Sequence, residues 1–221
     1  RDTDRSRGLG DVYKRQVYLS TAYFAPVSYY ASFLRYDRIV IEQWCNYTKQ
    51  TYRNRCHIAG ANGLLALSVP IVKPDTIKCP TKDIRISDHG EWRHLHWNAI
   101  ASAYGSSPFF EYYQDDIRPF FEKRYEFLLD FNEEIRRTVC NLIGLEPHIE
   151  YSSSYSEPAP GETDLRDAIH PKKRKAETIL PVQPKPYYQV FSEKYGFQPD
   201  LSIIDLLMNM GPESILILQN A

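Results

Sequence analysis

The richest polar stretch of the chain is Lys49-Gln50-Thr51-Tyr52-Arg53-Asn54-Arg55. In extended backbone its side chains alternate, which puts Lys49, Thr51, Arg53 and Arg55 on one face. A guanidinium there grips a phosphate or carboxylate bidentately, so Arg55 is the candidate anion clamp, with Asn54 and Lys49 beside it. The same run also reads as a solvated basic edge. His96 lies between Trp92 and Trp97, with Tyr104 two turns further on. A neutral imidazole suits general-base work near neutrality, although single histidines on aromatic stripes also serve packing. Asp205 and Asn209 stand four apart in an otherwise apolar segment and share a helix face. A carboxylate in such a segment must be paired or hydrogen-bonded. Asp205 is therefore expected to orient His96, to hold Arg55, to bind a substrate hydroxyl, or to cap a neighbouring element. Ser20, Thr21 and Tyr23 follow the first strand, in the loop position where parallel sheets receive ligands. The other reading of that loop is a tight turn that packs Tyr23 inward. The candidate catalytic pair is thus His96 and Asp205. Thr21, Tyr23, Lys49, Asn54, Arg55, Tyr104 and Asn209 are the candidate substrate-binding residues.

Other chemistries lack their motifs. Cys45, Cys56, Cys79 and Cys140 form no C-x-x-C pair, which argues against a zinc site or a disulfide framework and for reduced thiols. His96 has no ligating partner three or four residues away, so no metal site is expected. There is no G-x-G-x-x-G or P-loop, and after Gln16 no D-x-D. The sequence leaves any cofactor unknown. The basic run Lys172-Lys173-Arg174-Lys175 reads as a solvated loop or a targeting patch. Asp164, Arg166 and Lys172 are placed in a flap over a ligand. The aromatics Phe109 to Tyr113 suit core packing or a sugar-stacking platform.

These residues need elements to position them. Val17 to Ser20 reads as a strand, Val27 to Arg35 as a helix beginning after Pro26, and Arg38 to Glu42 as a buried β-branched strand. Strand, helix and strand in so short a span favour a parallel core. Gly60-Ala61-Asn62-Gly63 marks a hairpin into Leu64 to Val72, and Asp83 to Ser87 alternates as a half-exposed strand does. Glu91 to Tyr104 and Tyr125 to Ile143 carry apolar residues at helical spacing, the second ending at Gly144. His148 to Ser153 is a late strand. Residues 157–186 form an exposed loop with one short helix, and Tyr187 to Tyr195 and Ser202 to Asn209 are two final helices, Ser202 serving as an N-cap. The expected fold is α/β, a mainly parallel sheet flanked by helices with a helical C-terminal half.

The composition (43% hydrophobic, 14% aromatic) supports a sizeable core and excludes general disorder. No run approaches the roughly 20 apolar residues of a membrane span. Residues 1–16 stand apart. Ser6 to Gln16 matches, codon for codon, the translation of a transposase-type sequencing adapter, so the segment is set aside as non-native, leaving 17–221 as a single domain. Without its five basic and three acidic residues the chain carries 22 basic and 25 acidic groups, a charge of −3. So balanced a chain gives no electrostatic reason to expect nucleic acid.

Several segments together resemble the WbqC-like protein family, in particular its Bacteroidetes-type branch. They are Thr21-Ala22-Tyr23-Phe24-Ala25-Pro26-Val27-Ser28-Tyr29-Tyr30, the run Tyr47 to Cys56, Trp92 with His96-Trp97, and Ser102-Ala103-Tyr104. Ser107 to Tyr113, Asp164-Leu165-Arg166 with Pro171-Lys172, Tyr188-Gln189-Val190-Phe191 and Leu201 to Asn209 complete the set. The resemblance implies a bacterial cytoplasmic protein of O-antigen or capsule synthesis that acts on a sugar or sugar nucleotide. Transfer of a small acyl or aminoacyl group to an amino sugar is the activity it suggests, and a non-catalytic binding or scaffold protein of the same pathway is the alternative. One departure stands out. Many members carry a His-Gln-Pro-Asn-Tyr-type motif after the first strand, where this chain has Leu19-Ser20-Thr21-Ala22-Tyr23, so that loop lacks the histidine that would act as its base.

Overall fold

The structure is a computed structural model that describes residues 15–76, 78–172 and 184–221. Two strands form its centre. Strand β1 (Gln16–Ser20) is buried along its whole length, and β2 (Arg38–Glu42) is buried from Ile39 onward. Strands covered on both faces need continuous apolar runs, and Val-Tyr-Leu and Ile-Val-Ile supply them. They pair in parallel with Val17 opposite Ile39 and Leu19 opposite Ile41. Helix α1 (Val27–Ser32) makes the crossover between them, starting immediately after Pro26. Strand β5 (Ile149–Tyr151) joins the far side of β2, and the two-residue β6 (Thr163–Asp164) joins the free side of β1. The sheet order is β5-β2-β1-β6, all parallel, and the molecule is an α/β fold with helices flanking this sheet. The chain progresses from β1 to β2 to β5 in one direction and then returns to place β6 on the other flank. The carboxyl ends of β1 and β6 therefore lie at a topological switch point, where open α/β sheets leave a crevice.

A separate antiparallel hairpin, β3 (Arg55–Gly60) and β4 (Gly63–Ser68), turns at Ala61-Asn62 as the glycines predict. The rest is largely helical: α2 (Trp92–Tyr104), α3 (Phe110–Ile117), α4 (Pro119–Glu122), α5 (Leu128–Ile143), α6 (Ser192–Tyr195), α7 (Ile203–Met210) and α8 (Ser214–Gln219). Helix α5 ends on Gly144 with φ 78°, a left-handed C-cap. Helix α7 is buried from Ile203 to Asn209, and the Ser202 hydroxyl caps it by accepting from the Ile204 N–H. It packs against α1, α2, α3 and β3. The core is unusually aromatic, with Tyr23, Phe24, Tyr30, Tyr104, Tyr113 and Phe131 all fully buried.

Several elements differ from the sequence reading. Asp83 to Ser87 forms no strand. A 3-10 turn occupies Thr81–Asp83, and only single bridges join Ile71 to Ile86 and Arg85 to Phe127. Pro70, Pro74 and Pro80 nearby have no N–H to extend a ladder. The run Lys49 to Arg53 is a series of turns, with Gln50 at φ 59°, so its side chains do not alternate. Tyr187 to Val190 is extended loop, because the side chains of Tyr187 and Gln189 are drawn inward to Asp205. β6 lies inside the span expected to be loop, and α8 follows the last expected helix. Residues 1–14 and the basic positions Lys173 to Lys175 lie outside the described residues.

Candidate functional site

The carboxyl edge of the sheet gathers charge that strand interiors cannot hold. Ser20 ends β1, Glu42 ends β2, and Asp164 ends β6, with Arg166 two residues further on. Helix α5 adds Glu133 and Arg136, and the turn before β3 adds Arg53. Glu42 is 0% exposed, Arg53 4%, Glu133 5%, Arg136 6% and Arg166 7%. Charges this deep must be paired or hydrogen-bonded to be tolerated.

Most of them are. Arg166 holds Asp164 in a bidentate pair, at 3.0 Å from Nε and 2.6 Å from Nη2, and also donates to the Ser156 carbonyl. That pairing with Asp164 raises the Arg166 pKa above its ordinary value. Burial pushes Asp164 up, but the donors of Arg166 outweigh it and the carboxyl sits below its ordinary value. Arg136 donates to Glu133 at 2.8 Å, and the Tyr151 hydroxyl donates to the same carboxylate oxygen. Glu42 accepts from the Trp44 N–H and the Ser152 hydroxyl, while its second oxygen lies 3.7 Å from Arg166 with no hydrogen-bond donor.

Arg53 is the exception. Its Nη2 donates to the Ser20 hydroxyl at 2.7 Å, and its backbone carbonyl accepts from Asn132 of α5, which fixes the guanidinium at the sheet edge. The nearest carboxylate, Asp167, is 3.7 Å away and 84% exposed, so solvent screens it. Among the described residues Nε of Arg53 has no partner. The Tyr29 hydroxyl, 3% exposed, has none among them either. Both residues line one narrow cleft together with Ser20, Thr21, Thr51 and Arg166. Its volume is only about 10 Å³, room for roughly one water. Leu165, Arg166 and Ile169 form another part of its wall, so a larger ligand would have to widen the cleft.

Of the residues singled out by sequence, Thr21 reaches this cleft, its hydroxyl donating to Glu133 at 3.4 Å. Tyr23, 0% exposed, turns away from it and donates to Nδ1 of His96 at 2.9 Å. Burial drives the His96 pKa down to about 4, partly offset by a hydrogen bond with the Ser68 backbone, so the ring is neutral near pH 7. Arg55 donates Nε to the Ser68 hydroxyl, and Asn54 donates to the Val69 carbonyl. Lys49 lies beside a different groove, with Tyr47 and Asp75. Asp205, 0% exposed, accepts from Tyr104 at 3.0 Å, Tyr187 at 2.7 Å and Gln189 at 2.8 Å. Asn209 donates back to Asp205 within α7. Burial raises the Asp205 pKa against those three donors. Asp205 therefore neither orients His96 nor holds Arg55; its partners form a set of their own, whereas Arg55 and His96 both reach Ser68, one at its hydroxyl and the other at its backbone.

The sequence reading missed Glu42, Glu133 and Arg136 and passed over Arg53 in favour of Arg55. Two signals were available. An acid closing the β-branched run Arg38–Glu42 marks a strand end, and Glu133 with Arg136 interrupts the buried stripe of α5 at i, i+3.

The chain is 25% identical over 214 residues to the uncharacterized protein Rv1507c of Mycobacterium tuberculosis, covering 87% of this chain and 89% of that protein. No solved structure matches. The model of the WbqC-like protein family matches residues 21–217, taking in the loop after β1, the Arg53 turn, α5 and the Asp164–Arg166 pair, and the chain belongs to that family.

Proposed function

We propose that the protein is an enzyme of bacterial surface-polysaccharide synthesis that binds an anionic sugar derivative or acyl donor at the carboxyl edge of the sheet. The reaction we assign is transfer of a small acyl or aminoacyl group to an amino sugar. The observation that carries this reading is the buried Arg53 guanidinium, whose Nε has no partner among the described residues and whose paired carboxylate, Asp167, is solvent-exposed. A phosphate or carboxylate entering beside Ser20 would take the place of Asp167 and satisfy Nε, and in a site screened from water such a pair is strong. Ser20, Thr21 and Tyr29 supply hydroxyls for the polar remainder of the ligand. In the transfer, the amine nitrogen forms the new amide bond to the donor carbonyl carbon, and the leaving group departs with the proton that the amine gives up. His96 is assigned no proton transfer, since Tyr23 occupies its lone pair; it positions Tyr23 instead.

A second reading, a binding protein without catalysis, draws on the carboxylates near the sheet edge, since Glu133 and Asp164 are held by arginine donors and Glu42 accepts from the Ser152 hydroxyl. One experiment separates the two. Purified protein is incubated with amino-sugar nucleotides and acyl or aminoacyl donors, and products are followed by mass spectrometry. The enzyme reading expects a mass gain that Arg53→Gln abolishes. Ligand binding lost in Arg53→Gln, with no product from wild type, favours the binding protein. Activity unchanged in Arg53→Gln removes the cleft from consideration.

A further inference from the structure

A cavity of about 490 Å³ lies away from the sheet edge, between the start of α2 and α4. Its size falls within the range of small-molecule pockets. Trp97 forms its aromatic wall. The indole is stacked on Phe110, at 6.1 Å and 26°, and tilted against Phe121 at 6.0 Å, so it is held rigidly from behind. Among the described residues its N–H has no acceptor.

The polar groups around this wall are close to neutral in sum, two glutamates against two arginines. Arg118 is paired with Glu122 at 2.7 Å, and Arg93 donates Nη1 to Asp88 at 2.6 Å. What remains is a set of unused hydrogen-bonding groups. Nε and Nη2 of Arg93 are buried without a partner among the described residues, the guanidinium lying 4.6 Å over the Trp92 ring. Glu91 forms no ion pair among the described residues. It is held at φ 47°, ψ 30°, a left-handed conformation costly for a side chain of its size, directly after Gly90 at φ 80°. Such strain persists only where surrounding structure enforces it, and it places the carboxylate at the mouth of this cavity.

A charged ligand gains little from a wall whose charges cancel. A flat apolar hydrocarbon would leave the Trp97 N–H unsatisfied. The complementary shape is a ring with an apolar C–H face to lie on Trp97 and edge hydroxyls that both donate and accept. We infer that this cavity is a binding site for an uncharged saccharide, distinct from the Arg53 cleft and independent of the reaction assigned there. Glu91 accepts from ring hydroxyls, and the Trp97 N–H donates to them.

The test is saturation-transfer NMR and intrinsic fluorescence titration of the full chain with maltotriose, cellotriose and chitotriose, alongside inorganic phosphate as an anionic control. The expected result is saturable binding of at least one trisaccharide with a change in tryptophan emission. Glu91→Gln and Trp97→Ala should each weaken it about tenfold or more, and Arg53→Gln should leave it unchanged. Trp97→Phe, which keeps an aromatic face and removes the N–H, covers the case in which Trp97→Ala does not fold. Binding of none of the three sugars, or sugar binding insensitive to both Glu91→Gln and the Trp97 variants, overturns the inference. Neither outcome touches the Arg53 cleft, which is read out by phosphate and by Arg53→Gln.

Discussion

Arg53 and Ser20 are 33 residues apart and meet at 2.7 Å, one from the turn before the β3–β4 hairpin and the other from the last position of the central strand. The contact ties the hairpin to the parallel sheet and leaves the guanidinium beside the switch-point crevice with one nitrogen unused. A fully structural arginine at 4% exposure would be expected to meet a buried carboxylate, as Arg136 does. Arg53 meets a hydroxyl instead. The proposed ligand role of Arg53 rests on that difference.

Arg53→Lys keeps the charge and removes the planar fork. Wild type should gain thermal stability with rising phosphate or UDP-N-acetylglucosamine, since a ligand that binds only the folded state raises stability by mass action. In Arg53→Lys the apparent affinity should fall by about tenfold or more, because a point charge cannot satisfy the Nε position. A thermal-shift titration measures it. Equal shifts in both proteins would show that Arg53 is not the anion site.

The Glu133–Arg136 pair is buried, with both side chains 7% exposed. Arg136→Met alone leaves a buried carboxylate with only hydroxyl donors, from Tyr151 and Thr21. The expected loss is roughly 3–5 kcal/mol. Glu133→Leu combined with Arg136→Met removes both charges and should recover most of that loss. Urea unfolding of the single and double variants decides the matter, and a double variant as unstable as the single would show that the pair does more than cancel its own burial.

The fold was more legible than the site, for a physical reason. Val17 to Ser20, Arg38 to Glu42 and the α5 stripe announce themselves through burial, which repeats with the period of the element. The hairpin followed from Gly60 and Gly63. β6 is two residues long, Thr163 and Asp164, and takes its partner from tertiary structure alone. The site depends on which polar groups are left unpaired after folding, and that is not periodic. Arg53 and Arg55 look equivalent in sequence, yet the turn around Gln50 sends one to the sheet edge and the other to Ser68. Asp205 was marked correctly as needing partners, but Tyr187 and Gln189, which supply two of the three, sit in a segment read as helix.

Asp205→Asn tests that last point. Asparagine offers one acceptor where the carboxylate accepts on both oxygens, so Tyr187 or Tyr104 loses its partner. An unsatisfied buried hydroxyl costs about 1–3 kcal/mol. The variant should lose stability of that size while keeping the phosphate-dependent thermal shift of the Arg53 cleft. A variant of wild-type stability without the shift would instead make Asp205 part of the ligand site.

His96 gives the chain a pH response whose sign follows from its depressed pKa. In the unfolded chain the imidazole titrates near its ordinary value of about 6.5. In the folded protein burial holds it at about 4. Between these values the unfolded state binds a proton that the folded state refuses, so stability falls as pH drops through this window. Protonation would also remove the lone pair on Nδ1 that accepts from Tyr23. Asp205, whose carboxyl is raised by burial, works in the opposite sense at the acid end, because there the folded state holds the extra proton. Comparison with a His96 variant isolates the imidazole from it. On going from about pH 7.5 to about pH 4.5, wild type should lose about 3 kcal/mol more than His96→Gln, which keeps polar contacts but does not titrate. Urea midpoints at the two pH values measure the difference. Parallel losses in both proteins would mean that His96 takes up its proton in the folded state as readily as in the unfolded one, contrary to a buried imidazole held between Tyr23 and Ser68.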